Sequence, residues 1–164
     1  MFEKFSPEAI KVIMLAQEEA RRLKHRNVGC EHLLLGLLAV GPDVVSFRIL
    51  SSLDLNVIRV REEVEKIHSK GSKASPREMP FDADAKLALI GAHAEAMYAR
   101  HPFIYSEHLL LGLLHLPIEP ENVAFRVLSS LAVEREKMRR EVMYMAQSAR
   151  PGLSDTSQLS QEDE

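Results

Sequence analysis

The octapeptide EHLLLGLL occurs twice in this chain, at residues 31–38 and again at residues 107–114. The segments around it repeat in the same order, namely His25, Val28 and FRILSSL (47–53) in the first copy, and His101, Ile104 and FRVLSSL (125–131) in the second. A phrase that recurred by chance would not bring its flanks with it. The chain is therefore an internal duplication, and both copies are expected to fold in the same way.

Each copy predicts four helices. Ser6 and Pro7 supply a capping hydroxyl and a proline at the first helical position, and Asp82 begins the corresponding helix of the second copy. The octapeptide is apolar on nearly all sides, which predicts a central, buried second helix. Further helices are expected at about 43–53 and 56–70, and at about 121–131 and 134–147. No segment alternates with period two, so we expect an all-α fold of two pseudo-symmetric four-helix repeats, with about eight helices and no sheet.

The predicted domain covers residues 1–148, with repeat one at 1–70, a linker at 71–80 and repeat two at 81–148. The linker is rich in Ser, Lys, Gly and Pro, which predicts an exposed segment. Residues 149–164 end in Gln-Glu-Asp-Glu and have the composition of a disordered, acidic tail.

The composition excludes several classes of protein. No apolar run approaches the roughly 20 residues that span a bilayer, and the start of the chain lacks the pattern of a secretory signal. The single cysteine, Cys30, cannot form an internal disulfide, so we expect a reducing cytoplasm. The net charge is −3, and because four acidic residues lie in 151–164, the remainder carries about +1. A nearly neutral body predicts binding to neither nucleic acid nor membranes.

Two glycines lie inside the predicted second helices, at Gly36 and Gly112. Glycine is about 1 kcal/mol less favourable than alanine in a helix interior. The small side chains of the first helices, such as Ala16 and Ala92, let a neighbouring helix approach closely. We therefore expect a tight helix crossing at both glycines.

The patterns F-S-P-E-A-I, L-A-Q-E-E-A-R-R-L and H-x-x-V-G-x-E-H-L-L-L-G-L-L together resemble the Clp repeat. Two such four-helix units form the N-terminal domain of Clp/Hsp100 unfoldases, and the ClpC branch is the most similar. The resemblance covers about residues 1–148. It implies a domain without catalytic activity or cofactor, which docks adaptor and substrate proteins and passes them to ATPase rings. The implied partners are Clp unfoldase or Clp protease subunits, adaptors or substrates.

The chain contains no G-x-x-x-x-G-K-[ST] phosphate loop, and therefore no recognisable ATP site. In one hypothesis it is a free-standing accessory module similar to the ClpT-type proteins of plastids, which the charged end of the tail favours. A plant source would then place it in the plastid stroma. In the alternative hypothesis it is the excised N-terminal regulatory domain of a ClpC-type unfoldase. A helical DNA-binding regulator, the third hypothesis, would need a basic stripe that this sequence lacks.

Glu31 and Glu107 begin the two second helices and are the leading site candidates. In the ClpC branch, matching glutamates take the guanidinium of phosphorylated arginine, while a helix N-terminus receives the phosphate. By position, the resemblance pairs Ser6 with Glu31, and Asp82 with Glu107, as phosphoarginine or partner-binding residues. Asp82 replaces a threonine, however, and would put negative charge beside a phosphate. The alternative interpretation is structural, because a carboxylate in the first turn of a helix suits the helix dipole.

Other positions depart from the Clp repeat. Lys24 and Arg100 stand where the family has glycines that end the first helix, and a left-handed conformation costs a non-glycine residue about 1–2 kcal/mol. Cys30 stands in place of a capping threonine, whereas Ser106 is expected to keep the cap in repeat two. Tyr105 replaces a glycine and adds bulk before that helix.

The histidines do not predict a metal site. His108 and His115 share a helix face, but seven residues separate them by about 10.5 Å, too far for one zinc ion. Four other histidines are related by the repeat, namely His25, His32, His101 and His108. We expect them to be structural hydrogen-bonding residues.

No catalytic residue is predicted. Cys30 lies beside an apolar run with no recognisable oxyanion feature. The basic cluster at 135–140 is diluted by neighbouring glutamates and is typical of a solvated helix face. Met138, Met143 and Met145 are expected to fill the core of the last helix rather than to line a cofactor site. An apolar partner segment is expected in the groove between the two units.

Overall fold

The computed structural model describes residues 2–117 and 122–149, which form eight helices and no strand. The helices of repeat one are α1 (Pro7–Arg22), α2 (Cys30–Ala39), α3 (Val45–Ser52) and α4 (Val57–Ile67). Those of repeat two are α5 (Ala83–Tyr98), α6 (Ser106–Leu114), α7 (Val123–Ser130) and α8 (Arg135–Ala149). The all-α prediction of two four-helix repeats is confirmed. None of the described helices is long and apolar enough to cross a bilayer.

The predicted starts of the first helices are confirmed by their caps. The Ser6 hydroxyl accepts a hydrogen bond from the Ala9 amide at 3.1 Å. The Asp82 carboxylate accepts one from the Ala85 amide at 2.8 Å. Each cap satisfies one of the amides that a helix N-terminus leaves without an intrahelical partner.

The first and third helices of each repeat are followed by a residue in the left-handed backbone conformation. Lys24 and Arg100, which follow α1 and α5, have φ of 54° and 57°. Asp54 and Ala132, which follow α3 and α7, have φ of 60° and 58°. All four left-handed positions, of which Lys24 and Arg100 were predicted, are occupied by non-glycine residues, and the surrounding structure offsets their strain.

Both glycines of the octapeptide lie at tight helix crossings, as predicted. A Cβ on Gly36 would lie 2.5 Å from the Val12 carbonyl oxygen in α1. A Cβ on Gly112 would lie 2.2 Å from the Ala88 carbonyl oxygen in α5. Helices α2 and α6 are buried along nearly their whole length, so each repeat is built around its octapeptide.

The two repeats exchange backbone contacts at their starts. Phe5 pairs with Ile104, and Phe81 pairs with Val28, as two isolated parallel bridges. The Ser6 amide donates to the Ile104 carbonyl at 2.9 Å, and the Asp82 amide donates to the Val28 carbonyl at 3.0 Å in the same way. Helix α3 packs against α8, and α4 packs against α7. The beginning of each repeat is thus held by the other repeat.

The segment 71–80, predicted as an exposed linker, is anchored to repeat one. The Gly71 amide donates to the Leu23 carbonyl at 2.8 Å, and the Ser75 hydroxyl donates to the His25 carbonyl at 2.5 Å. The Met79 side chain is buried. Most of the other side chains are exposed as expected. Of the predicted tail, only Ala149 is described, and residues 150–164 lie outside the described residues.

Candidate functional site

A hydrogen-bonded histidine relay lies at the start of α2. The Gly29 amide donates to Nδ1 of His32 at 2.8 Å, so His32 carries its proton on Nε2. That Nε2 donates to Nδ1 of His25 at 2.8 Å, and Nε2 of His25 donates to the Ser69 carbonyl at 2.9 Å. The relay ties the first turn of α2 to the preceding loop and to the residue after α4.

Repeat two contains the first two hydrogen-bonding contacts of this relay. The Tyr105 amide donates to Nδ1 of His108 at 2.9 Å, and His108 contacts Nδ1 of His101 at 2.9 Å. The predicted serine cap at Ser106 is wrong, because Ser106 is the first residue of α6 and Tyr105 is the cap position. The Ser106 hydroxyl instead accepts from the Ser46 amide of repeat one at 3.2 Å. Both second helices are therefore capped by a histidine in their third position.

One group among the described residues has the spacing of metal ligands. Atoms of His25, Glu31 and His32 lie within 4.8 Å of one another. However, the relay already uses all four ring nitrogens of the two histidines. These hydrogen bonds support the structural role that the sequence predicts for the histidine pair.

Glu31 is buried and has imidazole rings on two sides. Nδ1 of His68 lies 3.3 Å from its Oε1, and Nδ1 of His32 lies 3.5 Å from the same oxygen. Burial alone would raise the pKa of Glu31, but the hydrogen bond from His68 and the neighbouring rings hold it below its ordinary value. The same hydrogen bond raises the pKa of His68. Burial lowers the pKa of His32 to about 4, and this ring is therefore neutral at pH 7.

The structure places Glu31 beside Asp82 of the other repeat. A Cβ on Gly29 would lie 2.7 Å from both carboxylate oxygens of Glu31 and 2.8 Å from Oδ2 of Asp82. Burial raises the pKa of Asp82, and the negative charge of Glu31 adds to the rise. The resemblance pairs Glu31 with Ser6, whereas the exchange of repeat starts brings Asp82 to Glu31. Ser6 contacts the loop before α6 instead.

The remaining predicted site residues are enclosed. Ser6 and Glu107 are both buried, and the Ser106 hydroxyl donates to Oε2 of Glu107 at 3.4 Å. Glu31 and Glu107 both lie in first helical turns, as the structural interpretation expects. Their assignment to phosphoarginine or a partner stays a prediction.

Cys30 is a poor nucleophile. It is buried, and burial strongly raises the pKa of its thiol, so the reactive thiolate is disfavoured. This environment supports the prediction that the cysteine has no catalytic role.

An open apolar groove lies where α1 begins against α5 and the loop before α6. It has a volume of about 440 Å³. Its apolar lining consists of Phe5, Leu89, Ile90 and Ile104, and its charged or polar lining consists of Glu3, Lys4, Lys86 and His93. The sequence predicted a groove between the units but not its residues, because the exchanged contact between Phe5 and Ile104 creates it.

Comparison with known proteins connects this architecture to a family. The model of the Clp repeat (R) N-terminal domain matches residues 4–114 and again 80–163. The chain belongs to this family. A ClpA homolog, an ATP-binding subunit of ATP-dependent Clp protease from Guillardia theta, is 45% identical over 160 residues. The chaperone protein ClpC1, chloroplastic, of Oryza sativa subsp. japonica is 48% identical over 145 residues.

These alignments cover 98% and 88% of this Clp repeat chain, respectively. They span only 18% and 15% of the two relatives. Among solved structures, the N-terminal domain of the chaperone ClpD from Arabidopsis thaliana matches with a TM-score of 0.74 at 27% identity. That match covers 90% of this chain and 97% of the ClpD domain, so the fold is shared along almost the whole of both.

Proposed function

We propose that this chain is a non-catalytic protein-binding module of the Clp chaperone–protease system. It docks adaptor or substrate proteins, or subunits of the Clp unfoldase or protease. The observation that carries the proposal is the open groove lined by Phe5, Leu89, Ile90 and Ile104. The chloroplastic relative supports a location in the plastid stroma.

The groove has the features of a surface that binds a polypeptide segment. Its lining combines apolar side chains with the charged side chains of Glu3, Lys4 and Lys86. An apolar centre with a polar rim is the usual arrangement of protein interfaces. Ile90 lies in this groove with 66% of its surface exposed, so it can be changed without disturbing the core.

Replacing Ile90 with serine is expected to weaken capture of Clp subunits or adaptors at least fivefold. The change removes apolar contact area from the groove, which contributes about 25 cal/mol per Å² buried. The measurement is a pull-down from the native cell extract with the full chain as bait, quantified by mass spectrometry. Ile58→Ser is the matched control, because Ile58 is also 66% exposed and lies in α4, outside the groove lining.

Equal capture by the wild type and Ile90→Ser would contradict docking in the groove. Recovery of no Clp protein by well-folded wild-type bait would contradict the proposed function as a whole. Loss of capture by both serine variants would also count against the groove.

We also propose that the site formed by Glu31 and Asp82 does not accept phosphorylated arginine. Two carboxylates would repel the phosphate, although they would attract an unmodified guanidinium. We expect free phosphoarginine at millimolar concentration to leave the NMR signals of Glu31 and Asp82 unchanged. Asp82→Asn, which keeps a capping oxygen while removing the charge, is the matched variant. A saturable shift at both residues in the wild type would refute this.

A further inference from the structure

The two repeats differ in the helix that ends each of them. The buried Val64 of α4 corresponds to the buried Val142 of α8, and the same spacing relates His68 to Ala146. Helix α4 ends at Ile67, whereas α8 continues through Ala149. The internal duplication therefore allows one repeat to be compared with the other at this position.

In repeat one, an aromatic ring of the chain itself covers the histidine relay. The ring of His68 stacks on the ring of His25, with centroids 3.5 Å apart and planes 10° apart. In repeat two, the corresponding residue is Ala146, which has only a methyl group to place near His101.

A cavity of about 180 Å³ is found at this place in repeat two. Its lining is mixed: Tyr98, Ala99, Leu111, Met143 and Ala146 are joined by the charged or polar side chains of Glu95, His101, His108 and Gln147. An engineered apolar cavity of about 150 Å³ in another protein is large enough to bind benzene. The space beside His101 is therefore sufficient for one aromatic ring.

Exposed aromatic and methionine side chains line this cavity or stand next to its lining residues in the sequence. Tyr98 and Met143, which line it, are 88% and 43% exposed. Their chain neighbours Met97 and Tyr144 are 64% and 72% exposed. Exposed apolar clusters mark interaction sites, and methionine sulfur makes favourable contacts with aromatic rings. Met143, predicted to be a core residue, is in fact at the surface.

We propose that this cavity binds a planar aromatic side chain of a partner polypeptide, stacked on His101 as His68 stacks on His25. The inference rests on the proposed protein-binding function and gives it a second, chemically defined contact. The occupant is aromatic rather than aliphatic, because the position it takes is that of a stacked ring in the other repeat.

The test is an NMR titration of the full chain with N-acetylphenylalaninamide, with N-acetylleucinamide as the aliphatic control. The phenyl probe is expected to shift the signals of His101, Leu111 and Met143, and to bind at least fivefold more tightly than the leucine probe. Ala146→His refills the cavity and is expected to weaken phenyl binding at least tenfold. His68→Ala deletes the ring of repeat one and is expected to leave binding at His101 unchanged.

Several results would overturn the proposal. They are the absence of shifts at the cavity in the wild type, equal binding of the leucine probe, and undiminished binding by Ala146→His. Contacts of residues 150–164 with Leu111 or Met143 in the free protein would also overturn it, since the tail would then be the occupant. The titration needs no partner protein, so its failure is distinguishable from failure of the pull-down with Ile90→Ser.

Discussion

Replacing Gly112 with alanine will destabilise the protein by at least about 2 kcal/mol. The new methyl carbon would lie 2.2 Å from the Ala88 carbonyl oxygen and 2.8 Å from the Ala92 amide nitrogen. Both contacts are with the backbone of α5, so a change of rotamer cannot relieve them and the two helices must separate. Helix propensity alone would favour alanine by about 1 kcal/mol, so the two effects predict opposite signs.

Urea unfolding followed by circular dichroism measures this difference. Gly91→Ala is the matched control, because it makes the same change on the facing helix. Its Cβ would approach the Gly112 Cα only to 3.2 Å, which a small shift can accommodate. We expect Gly91→Ala to remain within about 1 kcal/mol of the wild type. If Gly112→Ala were as stable as the wild type, the close crossing of α5 and α6 would be disproved.

Acidification from pH 7 to pH 4.5 will lower the free energy of unfolding by roughly 2–3 kcal/mol, mainly through His32. Burial lowers the pKa of this residue from 6.5 to about 4. Between these values the unfolded chain binds a proton that the folded chain does not, so stability falls as the pH falls. Burial also lowers the pKa of His25, which acts in the same direction.

His68 opposes this trend in a different pH range. The hydrogen bond to Glu31 raises its pKa above 6.5. Its contribution is therefore fully present below pH 6.5 and is lost as the pH rises through the raised value. The pKa of Glu31 is held below 4.5, so its contribution is lost only at still lower pH. His32 consequently dominates the slope between pH 6.5 and 4.5.

Urea unfolding at a series of pH values tests this account. His32→Gln can accept from the Gly29 amide and donate to His25 but does not titrate, so we expect lower stability at pH 7 and a flatter pH dependence. His93→Gln, which removes an exposed histidine outside the relay, is the control. An unchanged slope in His32→Gln would show that the buried relay does not govern acid sensitivity.

The helices and their closest crossings could be predicted from the sequence because local patterns determine them. Local sequence alone specifies these features: the octapeptide, the caps at Ser6 and Asp82, and the two interior glycines. The position of the caps on α2 and α6 was missed, because the capping group is a histidine ring three residues inside the helix rather than a hydroxyl. That contact depends on a side-chain orientation that residue type alone does not specify.

The candidate site was harder to predict because it depends on how the repeats are joined. A duplicated sequence does not show whether the first residues of each repeat pack against their own repeat or against the other one. The resemblance therefore paired Ser6 with Glu31, whereas the structure brings Asp82 to Glu31. The difference between His68 and Ala146 was visible in the two copies, but it acquires a meaning only when His68 is seen to stack on His25.

The exchanged bridges between Phe5 and Ile104 and between Phe81 and Val28 have a consequence for how such a chain could arise. A protein with a single unit would leave the backbone groups at its first residues without their partners. Two identical single units could satisfy each other as a twofold homodimer, and fusing their genes would preserve every contact. The tandem arrangement is thus the covalent form of a symmetric pair, and severed halves should reassemble with each other.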